Sequence, residues 1–319
     1  MTKIQRDVAL KDFSNYKIGG NASYFLNAAT KEDLLEGLKE WKETSKNLSE
    51  EKRKIFLLGG GTNVLFPDSG FDGLVIKNSI NGIALDGDKV TVGAGTLFTN
   101  LVDYCVNNSL SGLQWAGGMP GTVGGAVRGN AGAFGGETKD NVLQVYSINL
   151  ESLGEITRNR EECEFSYRNS IFKKETSSNE VIVSVVFTLL KGIQQEIKEQ
   201  VVKEVEFRQV RHPLESPNLG SIFKNVPFDL IPQIYKQELL QYVKNDPFPV
   251  VPTAKIIYLT GLKGRKVGDA MVSEKHTNFI VNLGNATAKD VSDLIAIIKI
   301  DVQHKFGVSL EEEIMRLDQ

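Results

Sequence analysis

Cysteine is almost absent from the chain. Its 319 residues include two, Cys105 and Cys163, in unrelated contexts and without CxxC spacing. That rules out a disulfide framework or a cysteine-built zinc site and suits a reducing cytoplasm, so no metal is expected. An excess of charge is lacking too: 37 Lys and Arg stand against 40 Asp and Glu, a net charge of −3. Such a balance offers no general attraction to nucleic acid. The lysine-dense runs KEDLLEGLKEWKETSK and SEEKRK interleave acids and read as solvated helix faces. Long apolar runs are missing, and the first twenty residues carry no seven-residue apolar core, so neither a membrane crossing nor a secretion signal is expected. Two nucleotide signatures are missing as well. No lysine follows the last glycine of a Gly-rich run in the Walker manner, and no G-x-G-x-x-G joins a strand to a helix. A P-loop kinase or a Rossmann dehydrogenase is thereby disfavoured. Internal repeats and low-complexity segments are not found.

Glycine is what the chain has in concentrated form. From Gly112 to Gly136 ten of twenty-five residues are glycine, and a shorter cluster, GGGTN, occupies 59 to 63. Glycine loses the most backbone entropy on ordering and is poor in helix and strand interiors, so these segments are shaped for something other than packing. Successive amides without side chains can converge on an anion, and the paired Thr62 and Asn63, Thr122 and Asn130 argue for a pyrophosphate held mainly by backbone.

Around these clusters the patterning is mixed, which puts the chain in the α+β class. Thr30 opens a Thr-x-x-Asp helix start followed by Leu34, Leu35, Leu38 and Trp41 at helical spacing, which predicts a helix over 31–45. KIFLLGGGTNVLF reads as a buried strand entering a glycine turn, and GLVIKN, KVTVGAG, VLQVYSINL, CEFSYR and VIVSVVFTLL read as further strands. Residues 97–108 read as a helix through Phe98, Leu101, Val102 and Cys105. Ile193, Ile197, Val201 and Val205 mark another that ends before Pro213. Residues 213–252 are rich in proline and turn formers and read as a linker or domain junction. HTNFIVNLGN is a strand and turn, Thr287 caps a last helix bearing Val291, Leu294, Ile298 and Val302, and GVSLEEEIMRL closes the chain as a strand.

Six segments in fixed order, NYKIGGNASYF, LLGGGTNVLFPDSGFDGLVI, AGGMPGTVGGAVRGNAGAFGGE, FSYRNSIFK, GSIFKN and VSEKHTNFIVNLGNATAKDV, resemble the UDP-N-acetylenolpyruvoylglucosamine reductase family of flavoenzymes over nearly the full length. The resemblance implies a two-part FAD-binding domain of the vanillyl-alcohol-oxidase type and a C-terminal α+β substrate domain that closes over a sugar nucleotide. The expected boundaries are 1–78 with a returning strand at 306–319, then 79–205, then 206–305. By similarity Gly59, Gly60, Gly61, Thr62 and Asn63 form one FAD loop. Pro120, Gly121, Thr122, Val123, Gly124, Gly125, Asn130, Ala131 and Gly132 line the other.

The activity implied is reduction of UDP-N-acetylglucosamine enolpyruvate with NADPH as co-substrate. By similarity Arg168 binds the substrate carboxylate, Ser221 donates the proton, and Glu313 is the third catalytic residue. The three consecutive glutamates leave Glu311 as an alternative register, and in a strand Glu311 and Glu313 would share a face that Glu312 does not. Lys224, Asn225 and His276 are implied substrate contacts. No tyrosine-bearing loop is evident between Arg168 and Ser221, as in the shorter form of the enzyme. Arg128 has no role in this reading. Two other readings stay open on the residues alone: an oxidase on the same flavin fold, and a nucleotide-binding module without catalysis. His212, His276 and His304 all lie outside the Gly-rich clusters, which excludes a histidyl flavin tether there.

Overall fold

The computed structural model describes residues 3–174 and 179–317. The chain divides into two units, each gathered from separated stretches. One comprises Met1–Val8, Ala22–Gly60 and Phe71–Phe207, the other Ala9–Asn21, Gly61–Gly70 and Arg208–Gln319.

Two sheets carry the first unit. In one, Ile4–Ala9, Asn21–Ala28, Phe71–Asn78 and Ile55–Leu58 lie side by side in that order, the last three parallel. Parallel neighbours need a crossover, and helix α1 (Lys31–Ser45) lies in one. The Thr30 side chain accepts from the Asp33 amide while Asp33 accepts from the Thr30 amide, the reciprocal cap expected at this start. Leu34, Leu38 and Trp41 of α1 are buried with Leu26, Leu74 and Ile76. The other sheet is antiparallel throughout, in the order Glu155–Asn159, Val142–Asn149, Glu180–Thr188, Lys89–Gly93, Ile83–Asp86. Its central strand is largely β-branched because both faces are covered. Val181 and Val183 join the cluster around Leu34, whereas Ile182, Val185 and Phe187 join Phe98 of α2 (Phe98–Asn107) and Val127 of α3 (Val123–Gly129).

Two expectations need correction in this part of the chain. CEFSYR is not a strand: among the described residues it pairs with no neighbouring strand, a single bridge joins Ser166 to Asn169, and the backbone turns left-handed at Glu164 and Arg168, with φ of 46° and 54°. Helix α4 (Gln194–Arg211) forms as expected, but of its apolar stripe Ile197 is buried and Ile193, just before it, is 62% exposed.

The second unit packs around its longest helix, Ala288–Phe306. The stretch read as a linker is folded: Val226–Pro227, Pro249–Val251 and Lys244–Asn245 form a small sheet, and helices α5 (Gln233–Leu239) and α6 (Thr253–Thr260) start directly after Pro232 and Pro252. Helix α7 (Ala288–Phe306) starts at a Thr287–Asp290 capping box and stops at Gly307, φ 64°. Its Val291, Leu294, Ile298 and Val302 are buried with Ile256 of α6 and with Ala270, Val272 and Ile280 of the antiparallel sheet Lys266–Val267, Ala270–Val272, Ile280–Asn282. The C-terminal strand is shorter than expected. Met315–Arg316 alone pairs, in parallel, with Val64–Leu65. Among the described residues no helix is long and apolar enough to cross a membrane.

Candidate functional site: two glycine loops and a serine–glutamate pairing

In the first unit, strand Ile55–Leu58 runs into Gly59 and Gly60. A Cβ on Gly59 would lie 2.8 Å from Thr122 Oγ1, and one on Gly60 would lie 2.9 Å from Gly121 Cα. The two glycine loops therefore touch only because both are bare. No acceptor among the described residues takes the amide N–H of Gly59, Gly60, Gly121 or Thr122. Four unspent donors on adjoining loops meet the chemical requirement of an anion nest.

The rest of the second loop holds that geometry. Val123 and Gly124 donate to the carbonyls of Thr96 and Ala94 at 2.9 and 2.8 Å, and Gly125 donates to Thr122 Oγ1 at 3.4 Å. Asn130, fully buried with φ 41°, donates to Glu137 Oε1 and the Ser166 carbonyl and accepts from the Lys139 amide. Its side chain is committed to bracing the loop. Ala131 donates to the Ala126 carbonyl, and exposed Pro120 leads into Gly121, φ 106°.

Arg168 docks on the same loop. Its Nη2 donates to the Gly132 carbonyl at 2.9 Å, the guanidinium lies 5.1 Å from the centre of the Tyr167 ring, and Lys173 Nζ bonds its carbonyl at 2.7 Å. Two residues on, Ser170 Oγ donates to the Arg128 carbonyl at 2.7 Å. Arg128 thus ties the second glycine loop to the Arg168 segment through its backbone, while burial lowers the pKa of its guanidinium.

In the second unit, Gly61 (φ 66°) passes so close to Phe13 that a Cβ would lie 1.8 Å from the Phe13 carbonyl oxygen. Half-buried Thr62 follows, and Asn63 Nδ2 donates to the Glu313 carbonyl at 3.0 Å. Ser221 follows Gly220, φ 80°, and precedes two residues gripped by buried Asn278: Ile222 N–H donates to its carbonyl and Phe223 N–H to its Oδ1. Glu313 N–H donates to the Ile222 carbonyl at 2.8 Å, and Phe223 bridges Glu312 antiparallel. The structure thus brings the Ser221 and Glu313 segments together, and no partner among the described residues takes the Ser221 hydroxyl.

The three glutamates have different surroundings. Glu311 is exposed and paired with Lys224, while Glu312 is half-buried between Lys299 (2.5 Å) and Arg316 (3.0 Å). Neither carboxylate is spare. Asn225 Oδ1 accepts from the Thr253 amide at 3.1 Å. His276 lies 4.7 Å from Phe279 and 5.5 Å from His212 between ring centres, with its Nδ1 buried and without a partner. Burial lowers both histidines to about 4. Asn278 went unremarked in the sequence, where it sits inside HTNF with nothing to mark its reach back to Phe223, and His212 was noted only as lying outside the Gly-rich clusters.

Residues 212–317 match the profile of the UDP-N-acetylenolpyruvoylglucosamine reductase C-terminal domain, and residues 34–158 match that of an FAD binding domain. The UDP-N-acetylenolpyruvoylglucosamine reductase of Clostridium novyi (strain NT) is 35% identical over 98% of this chain and 91% of its own length. The chain belongs to the UDP-N-acetylenolpyruvoylglucosamine reductase family. The reductase of Alkaliphilus oremlandii is 36% identical over 97% of this chain and 91% of its own. The crystal structure of UDP-N-acetylenolpyruvylglucosamine reductase from Thermus caldophilus superposes with a TM-score of 0.75 at 30% identity, covering 99% of each chain. As a member of this reductase family the chain is an α+β FAD-dependent oxidoreductase with a flavin-binding part and a C-terminal substrate domain, as the resemblance implied. The nest at Gly59, Gly60, Gly121 and Thr122 fits the diphosphate of that cofactor, because among the described residues its amide donors are unspent.

Proposed function

We propose that this protein reduces UDP-N-acetylglucosamine enolpyruvate to UDP-N-acetylmuramate in the cytoplasm, a step of peptidoglycan precursor synthesis, and that Arg168, Ser221 and Glu313 act on the enolpyruvyl group. FAD, when bound, carries hydride from NADPH to the enol ether. The amides of Gly59, Gly60, Gly121 and Thr122 hold the cofactor's diphosphate. Val123, Gly124, Gly125, Asn130 and Ala131 keep the second loop in shape.

Reduction at one carbon of an enol ether throws negative charge onto its neighbour and the attached carboxylate. Arg168 binds that carboxylate, and a planar guanidinium fork matches a planar anion whose charge is growing. Ser221 Oγ donates a proton to the adjacent carbon. A serine hydroxyl is a weak acid and can serve only a strongly basic carbon, placed and polarised by its neighbours. Glu313, whose backbone pairs with the residue after Ser221, supplies the carboxyl group at this proton delivery. Lys224, Asn225 and His276 bind the sugar nucleotide, with Lys224 exchanging Glu311 for a phosphate. In this reading residues 1–78, 306–319 and 79–205 bind the flavin and residues 206–305 the substrate.

The observation that carries the assignment is the pairing of the Ser221 segment with Glu313, with the Ser221 hydroxyl left unbonded among the described residues. Anaerobic absorbance tests it. The yellow protein should bleach with NADPH and recover its colour when the enolpyruvyl sugar nucleotide is added. A colourless protein that takes up no FAD, or bleaching with no recovery, would overturn the reading.

A further inference from the structure

Lys77 is the penultimate residue of strand Phe71–Asn78 and lies in parallel register with Leu58, the residue before Gly59. Its Nζ donates to the Gly59 carbonyl at 2.5 Å. That carbonyl is the one partner of the ammonium among the described residues. Several lysines of this protein meet carboxylates, Lys139 with Glu137, Lys224 with Glu311 and Lys299 with Glu312, while Lys173 donates to the Arg168 carbonyl. Lys77 is half-buried with no anion beside it among the described residues, and burial lowers its pKa. A partly desolvated cation without a counter-ion is costly to keep unless something else completes it.

We propose that Lys77 is a positioning residue for the cofactor's anion: it sets the Gly59–Gly60 peptide as a donor for the diphosphate of the bound dinucleotide. This rests on the FAD reading above. A trans peptide is planar, with its C=O and N–H pointing opposite ways. Fixing the Gly59 oxygen on the ammonium therefore fixes the direction of the Gly60 N–H. The positive charge at the oxygen end polarises that N–H and strengthens it as a donor to an anion. Gly60 is also the residue whose Cβ position meets Gly121 Cα, so the aimed amide lies where the unspent donors of Gly121 and Thr122 begin. Two glycines alone would leave this peptide free to rotate, because glycine samples both signs of φ. With the dinucleotide bound, the ammonium and the diphosphate neutralise one another across the peptide. A neutral ligand would leave the cation uncompensated.

The test is FAD binding to the apo full chain, followed by flavin fluorescence at low and high salt, for the parent, K77R and K77M. K77M should bind FAD about ten- to a hundredfold more weakly, the scale of a lost charge-assisted bond. The rise of its dissociation constant with salt should also be shallower than the parent's. K77R should stay within about threefold of the parent and keep its salt dependence. The melting temperatures of the apo proteins should agree. Unchanged affinity in K77M overturns the proposal, and so does equal weakening of K77M and K77R with the parental salt dependence, which marks a purely steric brace. Should K77M fail to fold, K77Q, which keeps a donor without the charge, carries the same comparison. Failure of the parent itself to bind FAD would sink the flavin reading instead.

Discussion

Ser221 shows what a single residue needs before it can act as an acid. Its neighbours on one side are gripped through Asn278, and Gly220 at φ 80° turns the chain into place on the other. The hydroxyl is thus presented by rigid backbone instead of by a partner that would compete for its proton. S221A should bleach with NADPH at about the parental rate yet lose roughly 10²- to 10⁴-fold in enolpyruvate turnover, the range for a positioned proton donor. Stopped-flow absorbance of the two half-reactions separates these, and full turnover by S221A would remove Ser221 from the chemistry. Little of this was legible locally, where GSIF reads as a turn and only its match to a family motif singled it out. Among the glutamates the identical side chains of Glu311, Glu312 and Glu313 carry no distinguishing signal. Lys224, Lys299 and Arg316 distinguish them, and two of those are remote in sequence or on another element.

At the scale of elements, the central strand Glu180–Thr188 starts with a charged residue that is nearly inaccessible. Glu180 forms a two-pronged ion pair with Arg158 and accepts the Ser147 hydroxyl, with side-chain exposures of 5% for the glutamate and 16% for the arginine. Glu180→Ala should destabilise the fold by about 3–5 kcal/mol, because it strands a buried guanidinium. The urea midpoint should fall with little change in slope. An unchanged midpoint would mean that water already screens this pair. The strand itself was plain in VIVSVVFTLL, but its partner Arg158 was not, since pairing across a sheet is written in no local pattern. CEFSYR misled for the converse reason. Cys163 and Phe165 alternate with polar residues as a strand would, yet the backbone at Glu164 and Arg168 turns left-handed to seat Arg168 on the second glycine loop.

For the molecule as a whole, the readable global quantity is stability against pH. His212 and His276 have folded pKa values of about 4, lowered first by burial and then by neighbouring positive groups: His276 and Arg208 act on His212, and Lys244 on His276. As pH falls, the unfolded chain takes up these protons near 6.5 while the folded chain resists until about 4. Their contribution to stability is therefore complete above pH 6.5 and is lost progressively between 6.5 and 4. Melting temperature measured from pH 8 down to 4.5 should drop across that window, and H212Q/H276Q should drop less. Parallel profiles for the two proteins would refute the assignment.

The sequence by itself determined the α+β class, the capped helices, the central strands and the two glycine loops, because periodicity, capping and bare backbone are local properties of neighbouring residues. Six ordered motifs also carried the family. Which amides stay unspent, which cations meet Glu311 and Glu312, where Lys77 spends its charge and how 213–252 folds were decided only by tertiary structure. Each of these depends on a partner far along the chain, and hydrogen bonds and ion pairs are settled by distance in space.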